Sequence, residues 1–246
     1  MNTLENKIAL VTGGSRGIGA AIVKRLATEG ADVAFTYVSA KAEADALVKE
    51  IENTGRRALA IQANAADAVA VAASVEAAAA HFGKIDILVN NAGIGIMGQL
   101  DTFSVEDFDK TFNINVRATF VAIKEAVKHM ATGSRIINIG STNATRMPFE
   151  GGGVYAASKA AIQGLTMGLS RDLGPLGITI NNIQPGPVNT DMNPQNGPFS
   201  DFLKSQMDLD RYAQPEEIAA FTAYLAGPDA GYITGASLNI DGGFKG

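Results

Sequence analysis

Tyr155 and Lys159 stand four positions apart in VYAASKAAIQGL, a run with a helical pattern. Such positions lie one turn apart, so both side chains leave the same helix face. A phenol, with an ordinary pKa of about 10, is a poor proton donor or acceptor at neutral pH. A neighbouring ammonium favours the phenolate and draws that value down. The pair therefore suits the transfer of a proton to or from an alcohol oxygen. Ser141 ends the apolar run RIINIGS, which reads as a buried strand opening into a loop, and its hydroxyl could hold the same oxygen. The spacing also occurs on solvated helices, where it merely covers surface. The rest of the chain has to decide.

The first apolar run leads into Thr12-Gly13-Gly14-Ser15-Arg16-Gly17-Ile18-Gly19, and a helical pattern begins there. Glycines let the backbone turn tightly and approach a pyrophosphate, while the free N–H groups of a helix start favour an anion. An acid near the end of the second strand would hold the adenosine ribose of NAD. Here that end reads Tyr37-Val38-Ser39-Ala40-Lys41, with no acid, and Asp32 sits at the strand's beginning. Arg16, with Ser39 and Lys41, could instead receive a 2′-phosphate, which suits a guanidinium through charge-assisted hydrogen bonds. NADP is expected ahead of NAD, although Arg16 and Lys41 could also be ordinary solvated charges.

Short β-type runs alternate with longer helical patterns throughout. The strands are expected at Lys7–Thr12, Asp32–Tyr37, Arg57–Ala63, Ile85–Asn90, Arg135–Gly140, Ile178–Ile183 and Ser237–Asp241. Most are continuous apolar runs, as in strands covered on both faces. The alternation predicts an α/β fold: a doubly wound parallel sheet of about seven strands in one domain spanning 1–246. Such sheets bind ligands at the carboxyl ends of their strands. Val89-Asn90-Asn91-Ala92-Gly93 ends the fourth strand, where the asparagines could brace the turn or let the backbone pass a ribose. Asn115 lies beside a predicted apolar stripe of Phe108, Phe112, Val116, Phe120, Ile123 and Val127. There it could cap or kink the helix, or hold a water that passes protons to Lys159. Gln184-Pro185-Gly186-Pro187-Val188-Asn189-Thr190 stiffens the turn after the sixth strand. The segment 191–213, with a helical piece near Phe199–Met207, could form a substrate lid or a loosely ordered loop.

A chain of 246 residues with net charge −5 gives no electrostatic footprint for a nucleic-acid polymer. It has no cysteine, and its two histidines, His81 and His129, lie far apart in helical runs, so no metal site is expected. The N-terminus lacks a signal-peptide core and no apolar run is long enough for a bilayer, so a cytoplasmic protein is expected.

TGGSRGIG at 12–19, NNAG at 90–93, Asn115, Ser141, Tyr155-x-x-x-Lys159, PGPVNT at 185–190 and the C-terminal DGG resemble the short-chain dehydrogenase/reductase family over essentially the whole chain. The resemblance implies a Rossmann-like fold and a catalytic tetrad of Asn115, Ser141, Tyr155 and Lys159. In it the tyrosine exchanges a proton with the substrate oxygen and the serine orients that oxygen. The lysine lowers the tyrosine's pKa and holds the nicotinamide ribose, and the asparagine supports a water relay. The implied cofactor positions are Gly13, Ser15, Arg16, Gly17, Ile18, Gly19, Tyr37, Ser39, Asn64, Ala65, Asn91, Ala92, Gly93, Pro185, Gly186, Val188 and Thr190, together with Tyr155 and Lys159. Asn64 replaces an aspartate common in relatives and can still accept a hydrogen bond from the adenine amino group.

Two groups within the family come nearest. One comprises reductases like those of 3-oxoacyl-[acyl carrier protein], which implies reversible reduction of a small ketone or aldehyde to an alcohol. The other, nearest in the second half of the chain, binds cyclic-di-GMP, which implies a regulator on a reductase scaffold. The lid stretch carries Asp191, Asp201, Asp208 and Asp210 against Lys204, a poor balance for a second large anion. Met97, Met147, Phe149, Met192 and Phe199 lie in stretches expected to border the pocket, which suits a partly apolar substrate. Ala156, Ala157, Ala160, Ala161, Gly164 and Gly168 would let a second helix approach closely. With the family's habit of assembling through the helices carrying Asn115 and Tyr155, a homotetramer is expected.

Overall fold

The computed structural model describes residues 3–244; residues 1–2 and 245–246 of the expected domain lie outside them. Seven parallel strands form one sheet: β1 (Ile8–Val11), β2 (Asp32–Tyr37), β3 (Ala58–Gln62), β4 (Ile87–Asn90), β5 (Arg135–Ile139), β6 (Thr179–Pro185) and β7 (Ser237–Ile240). Their spatial order is β3-β2-β1-β4-β5-β6-β7, so the winding reverses between β1 and β4. Each expected strand is present, shifted by at most two residues at an end.

β1 and β4 are wholly buried, which explains their unbroken apolar composition. One face of the sheet packs against α1 (Gly17–Thr28), α2 (Lys41–Glu52) and α8 (Pro215–Ala226), around Ile22, Val23, Leu47 and Ile218. The other packs against α3 (Ala68–Phe82), α5 (Ala118–Ala126) and the end of α6 (Gly153–Leu173), around Val75, Ala122, Ile123 and Leu173. Burying one large aliphatic side chain contributes about 1.5–3 kcal/mol, so these two layers supply most of the favourable term. A third, smaller cluster lies by α7 (Ser200–Ser205).

The helix carrying Asn115 differs from expectation. α4 (Val105–Phe112) runs into a single wide π turn at Asn113–Arg117 before α5 begins. Such turns interrupt the ordinary hydrogen-bond ladder and are common at functional sites. The predicted apolar stripe is buried only in part: Ile123 is in the core and Phe112, Val116 and Val127 are half-buried. Phe108 and Phe120 are 42% and 44% exposed, whereas Thr111, Ile114, Asn115, Ala118, Ala122 and Ala126 face inward. The inner face is built of small residues because it lies close against α3 and α6.

Candidate active site

The glycine-rich turn sits where the strand order reverses, at the ends of β1 and β4. Gly17 has φ +54°, a left-handed conformation that suits glycine. A Cβ on Gly19 would lie 2.2 Å from the Gly13 carbonyl oxygen and 2.6 Å from Asn91 Nδ2. Asn91 braces this turn, its Nδ2 donating to the carbonyls of Thr12 (3.0 Å) and Gly13 (2.9 Å). Two residues not singled out as cofactor positions also build it. Thr12 Oγ1 accepts from Asn91 N (3.0 Å) and Ala92 N (3.1 Å), and Thr36 Oγ1 accepts from Gly13 N (2.9 Å). A hydroxyl at each strand end was the available signal.

The α1 N-terminus has no capping side chain and no acid in its first turn, which leaves a helix start suited to an anion. Arg16 is exposed there and makes no ion pair among the described residues. Ser15 and Ile18 are half-buried in the turn, and Tyr37 is buried at the end of β2 beside exposed Ser39. Lys41 does not stand free for an anion: its Nζ lies 2.7 Å from Asp45 Oδ2, one turn along α2. Asn64 is exposed, with Oδ1 accepting from Ala66 N (2.9 Å), next to half-buried Ala65. The carbonyl oxygen keeps a second lone pair for a further donor. From β6, Pro185, Gly186 and buried Val188 carry the chain to Thr190, whose Cγ2 lies 3.4 Å from the point a side chain on Gly17 would occupy. The two distant halves of the expected cofactor set therefore share one edge. This edge has a glycine cradle and open helix start suited to a pyrophosphate, and a guanidinium with no ion pair among the described residues, suited to a 2′-phosphate.

On the β4–β5 side, Lys159 is buried and its Nζ donates to the Ile139 carbonyl at 2.9 Å. The ammonium lies 5.8 Å from the centre of the Tyr155 ring. Burial, with no carboxylate beside it, lowers the Lys159 pKa to about 8. Half-buried Tyr155 moves the other way: loss of hydration raises its pKa, and a hydrogen bond with Ser141 only partly offsets this. Burial is the larger influence on the phenol and Ser141 the smaller one. Ser141 is itself fixed, with Oγ accepting from Asn143 N (3.1 Å) and its carbonyl accepting from Gln184 Nε2 (3.0 Å).

Asn115 acts as a clamp. Its Oδ1 accepts from Ile94 N (2.9 Å), and its Nδ2 donates to the Ile94 carbonyl (2.9 Å) and to Ser158 Oγ (3.0 Å). The amide thus holds the loop after β4 against α6, and Ser158 is the partner that sequence reading missed. A side chain on Gly93 would enter the gap between them, 3.3 Å from Asn115 Oδ1 and 3.5 Å from Lys159 Nζ. Beneath, Asn90 Nδ2 donates to Asn138 Oδ1 (2.9 Å) and Asn138 Nδ2 to Thr166 Oγ1 (3.0 Å), tying β4 and β5 to α6. Of the apolar residues expected at the pocket, Met147 is packed on Gly152 and Phe149 on the cluster by α7. Met97 places its Cε on the same side of Gly95 as the Tyr155 ring, and Met192 and Phe199 are 65% and 70% exposed.

No helix among the described residues is long and apolar enough to cross a membrane. Residues 13–245 match a family model described as Enoyl-(Acyl carrier protein) reductase. The chain is 49% identical, over 99% of both chains, to the cyclic-di-GMP-binding biofilm dispersal mediator protein of Escherichia coli (strain K12). It is 53% identical to a short chain dehydrogenase from Burkholderia cenocepacia J2315 solved in complex with NADP, with TM-score 0.97 and 98% of each chain covered. A blue fluorescent protein from a metagenomic library, solved with NADPH, is 55% identical with TM-score 0.98, over 99% of this chain and 100% of its own. Fold, motifs and these likenesses agree: the chain belongs to the short-chain dehydrogenase/reductase family of oxidoreductases.

Proposed function

We propose that the protein is an NADPH-dependent reductase that converts a ketone or aldehyde to its alcohol, reversibly, with Tyr155 as the general acid. The observation that carries this reading is the Tyr155 phenol with Ser141 near enough to act on its pKa and the buried Lys159 ammonium 5.8 Å from its ring, on the sheet edge that also bears the open α1 start. When bound, NADPH supplies the hydride that goes to the carbonyl carbon. Ser141 holds the carbonyl oxygen, and Tyr155 gives that oxygen the proton that completes the alcohol. Burial raises the pKa of the phenol, so it carries the proton at neutral pH but gives it up less readily until the phenolate is stabilised. Lys159 then faces the phenolate with its ammonium and favours it, and Asn115 keeps the loop and α6 in register. Arg16 and Ser39 take the 2′-phosphate, and the NADP- and NADPH-bound neighbours support that preference over NAD. The segment 191–213 serves as the lid, and exposed Met97, Met192 and Phe199 favour a partly apolar substrate.

Assay of a ketone and aldehyde panel tests this. Tyr155→Phe should lower kcat by about 10²–10⁴-fold, the worth of a positioned acid, with NADPH affinity nearly unchanged. Retained turnover would remove Tyr155 from the role. The second reading, a cyclic-di-GMP-binding regulator, is favoured by the name of the 49% identical relative. Against it, the lid's cations already face carboxylates: Lys204 lies 3.9 Å from Asp201 and Arg211 2.7 Å from Glu217. Saturable binding of cyclic-di-GMP without turnover of any carbonyl would establish that reading instead.

A further inference from the structure

The lid's two ends and its body are held in different ways. At its stem, backbone pairing fixes the ends: Asn189 N donates to the Ala213 carbonyl (2.9 Å) and Ala213 N to the Pro187 carbonyl (3.0 Å). The body between them packs on one cluster, in which Leu203, Met207 and Tyr212 bury Phe244, only 3% exposed, with Phe149 alongside. The turn leading to Phe244 accepts from the lid backbone, Leu209 N to Gly242 O at 3.0 Å and Asp208 N to Gly243 O at 3.4 Å. The same turn grips the loop that follows Ser141. Thr142 Oγ1 donates to Asp241 Oδ2 (3.1 Å), and Arg146 Nη1 donates to the Phe244 carbonyl (2.9 Å). Between the lid and this turn a cavity of about 80 Å3 remains, bordered by Pro187, Met207, Leu209, Arg211, Asp241 and Gly242, so the packing around Phe244 is the close contact that holds the lid body there.

We propose that Phe244 is a positioning residue, anchoring the lid to the Ser141 loop and so fixing the carbonyl side of the site while leaving the cofactor edge alone. The anchor joins three segments far apart in sequence, and Phe244 lies at their meeting point. Its kinetic consequence rests on the carbonyl-reductase reading; its mechanical consequence does not.

The test compares full-length Phe244→Ala and Phe244→Leu with the wild type. Three properties would be measured: carbonyl KM and kcat, NADPH affinity, and the rate of limited proteolysis with NADPH bound. Phe244→Ala should raise the carbonyl KM about tenfold while kcat and NADPH affinity stay within about threefold, the split expected when substrate-side positioning alone is lost. Cleavage within 191–212 should quicken by about tenfold and cleavage elsewhere should not, since only one segment is loosened. Phe244→Leu should recover most of both effects. Unchanged KM and unchanged lid cleavage would overturn the proposal. So would equal acceleration of cleavage across the chain with parallel loss of NADPH affinity, which would make Phe244 an ordinary core residue. If the wild type reduces no carbonyl, the reductase reading fails, and the cleavage pattern alone decides whether the anchor exists.

Discussion

Lys159 is a cation held without a counter-charge, and that has a consequence in pH. Its folded pKa, about 8, lies below the ordinary value of 10.5. Below pH 8 both folded and unfolded chains carry the proton, and the folded chain bears the cost of a buried charge. Between about pH 8 and 10.5 the folded chain releases the proton while the unfolded chain keeps it, so this contribution to stability rises with pH. The expected gain is about 1.4 kcal/mol for each tenfold difference in proton affinity. Melting curves of the cofactor-free protein should therefore show the wild type gaining on Lys159→Met across that window. A constant difference would mean that Lys159 titrates normally. Arg16 is the second residue whose surroundings predict a measurement. It stands exposed and without an ion pair among the described residues, so Arg16→Ala should weaken NADPH by about 1.5–3 kcal/mol, the worth of charged hydrogen bonds, and NADH hardly at all. Dissociation constants for the two cofactors decide it.

Among the elements, the turn between β1 and α1 tolerates least. A methyl at Gly19 meets the backbone carbonyl of Gly13 and the side-chain amide of Asn91, which is tied by hydrogen bonds to the carbonyls of Thr12 and Gly13. Gly19→Ala should cost about 1–3 kcal/mol, as overpacking does, seen as weaker NADPH binding and a lower melting temperature together. This turn was legible in the sequence because its glycines are dictated by the local backbone. The central strands β1 and β4 were legible for a similar reason, since full burial demands continuous apolar runs. The π turn at Asn113–Arg117 was not. One extra residue per turn leaves the residue types looking like any amphipathic helix. The inner face of α4 and α5 misled for another reason: hydrophobicity does not distinguish a face covered by its own chain from one left open. Phe108 and Phe120 belong to the open face, while alanines and Asn115 fill the covered one. Of the two readings open for Lys41, its exposed ion pair with Asp45, one turn along the same helix, favours the ordinary solvated charge, and that partner lies outside the motif.

Among the described residues, several large apolar side chains and small residues on neighbouring helices stay open to solvent. Phe108, Phe120 and Met167 are 42%, 44% and 66% exposed, and a Cβ on Gly164 or Gly168 would meet nothing within 4 Å. Small residues along α6 with aromatics on the neighbouring helix suit close helix-to-helix contact between copies, and a homotetramer is the expected assembly. Native mass spectrometry should give four times the chain mass; a monomer at micromolar concentration would remove the expectation. The arrangement of strands has a further consequence for biosynthesis. β1 pairs with β2 on one side and with β4 on the other, through contacts such as Leu10 with Leu88. A ribosome therefore exposes the glycine-rich turn and its first two strands well before β4 can close their open edge. Until then β1 presents unpaired backbone to the cell, and the emerging half-chain depends on prompt elongation or a chaperone to escape pairing with another copy.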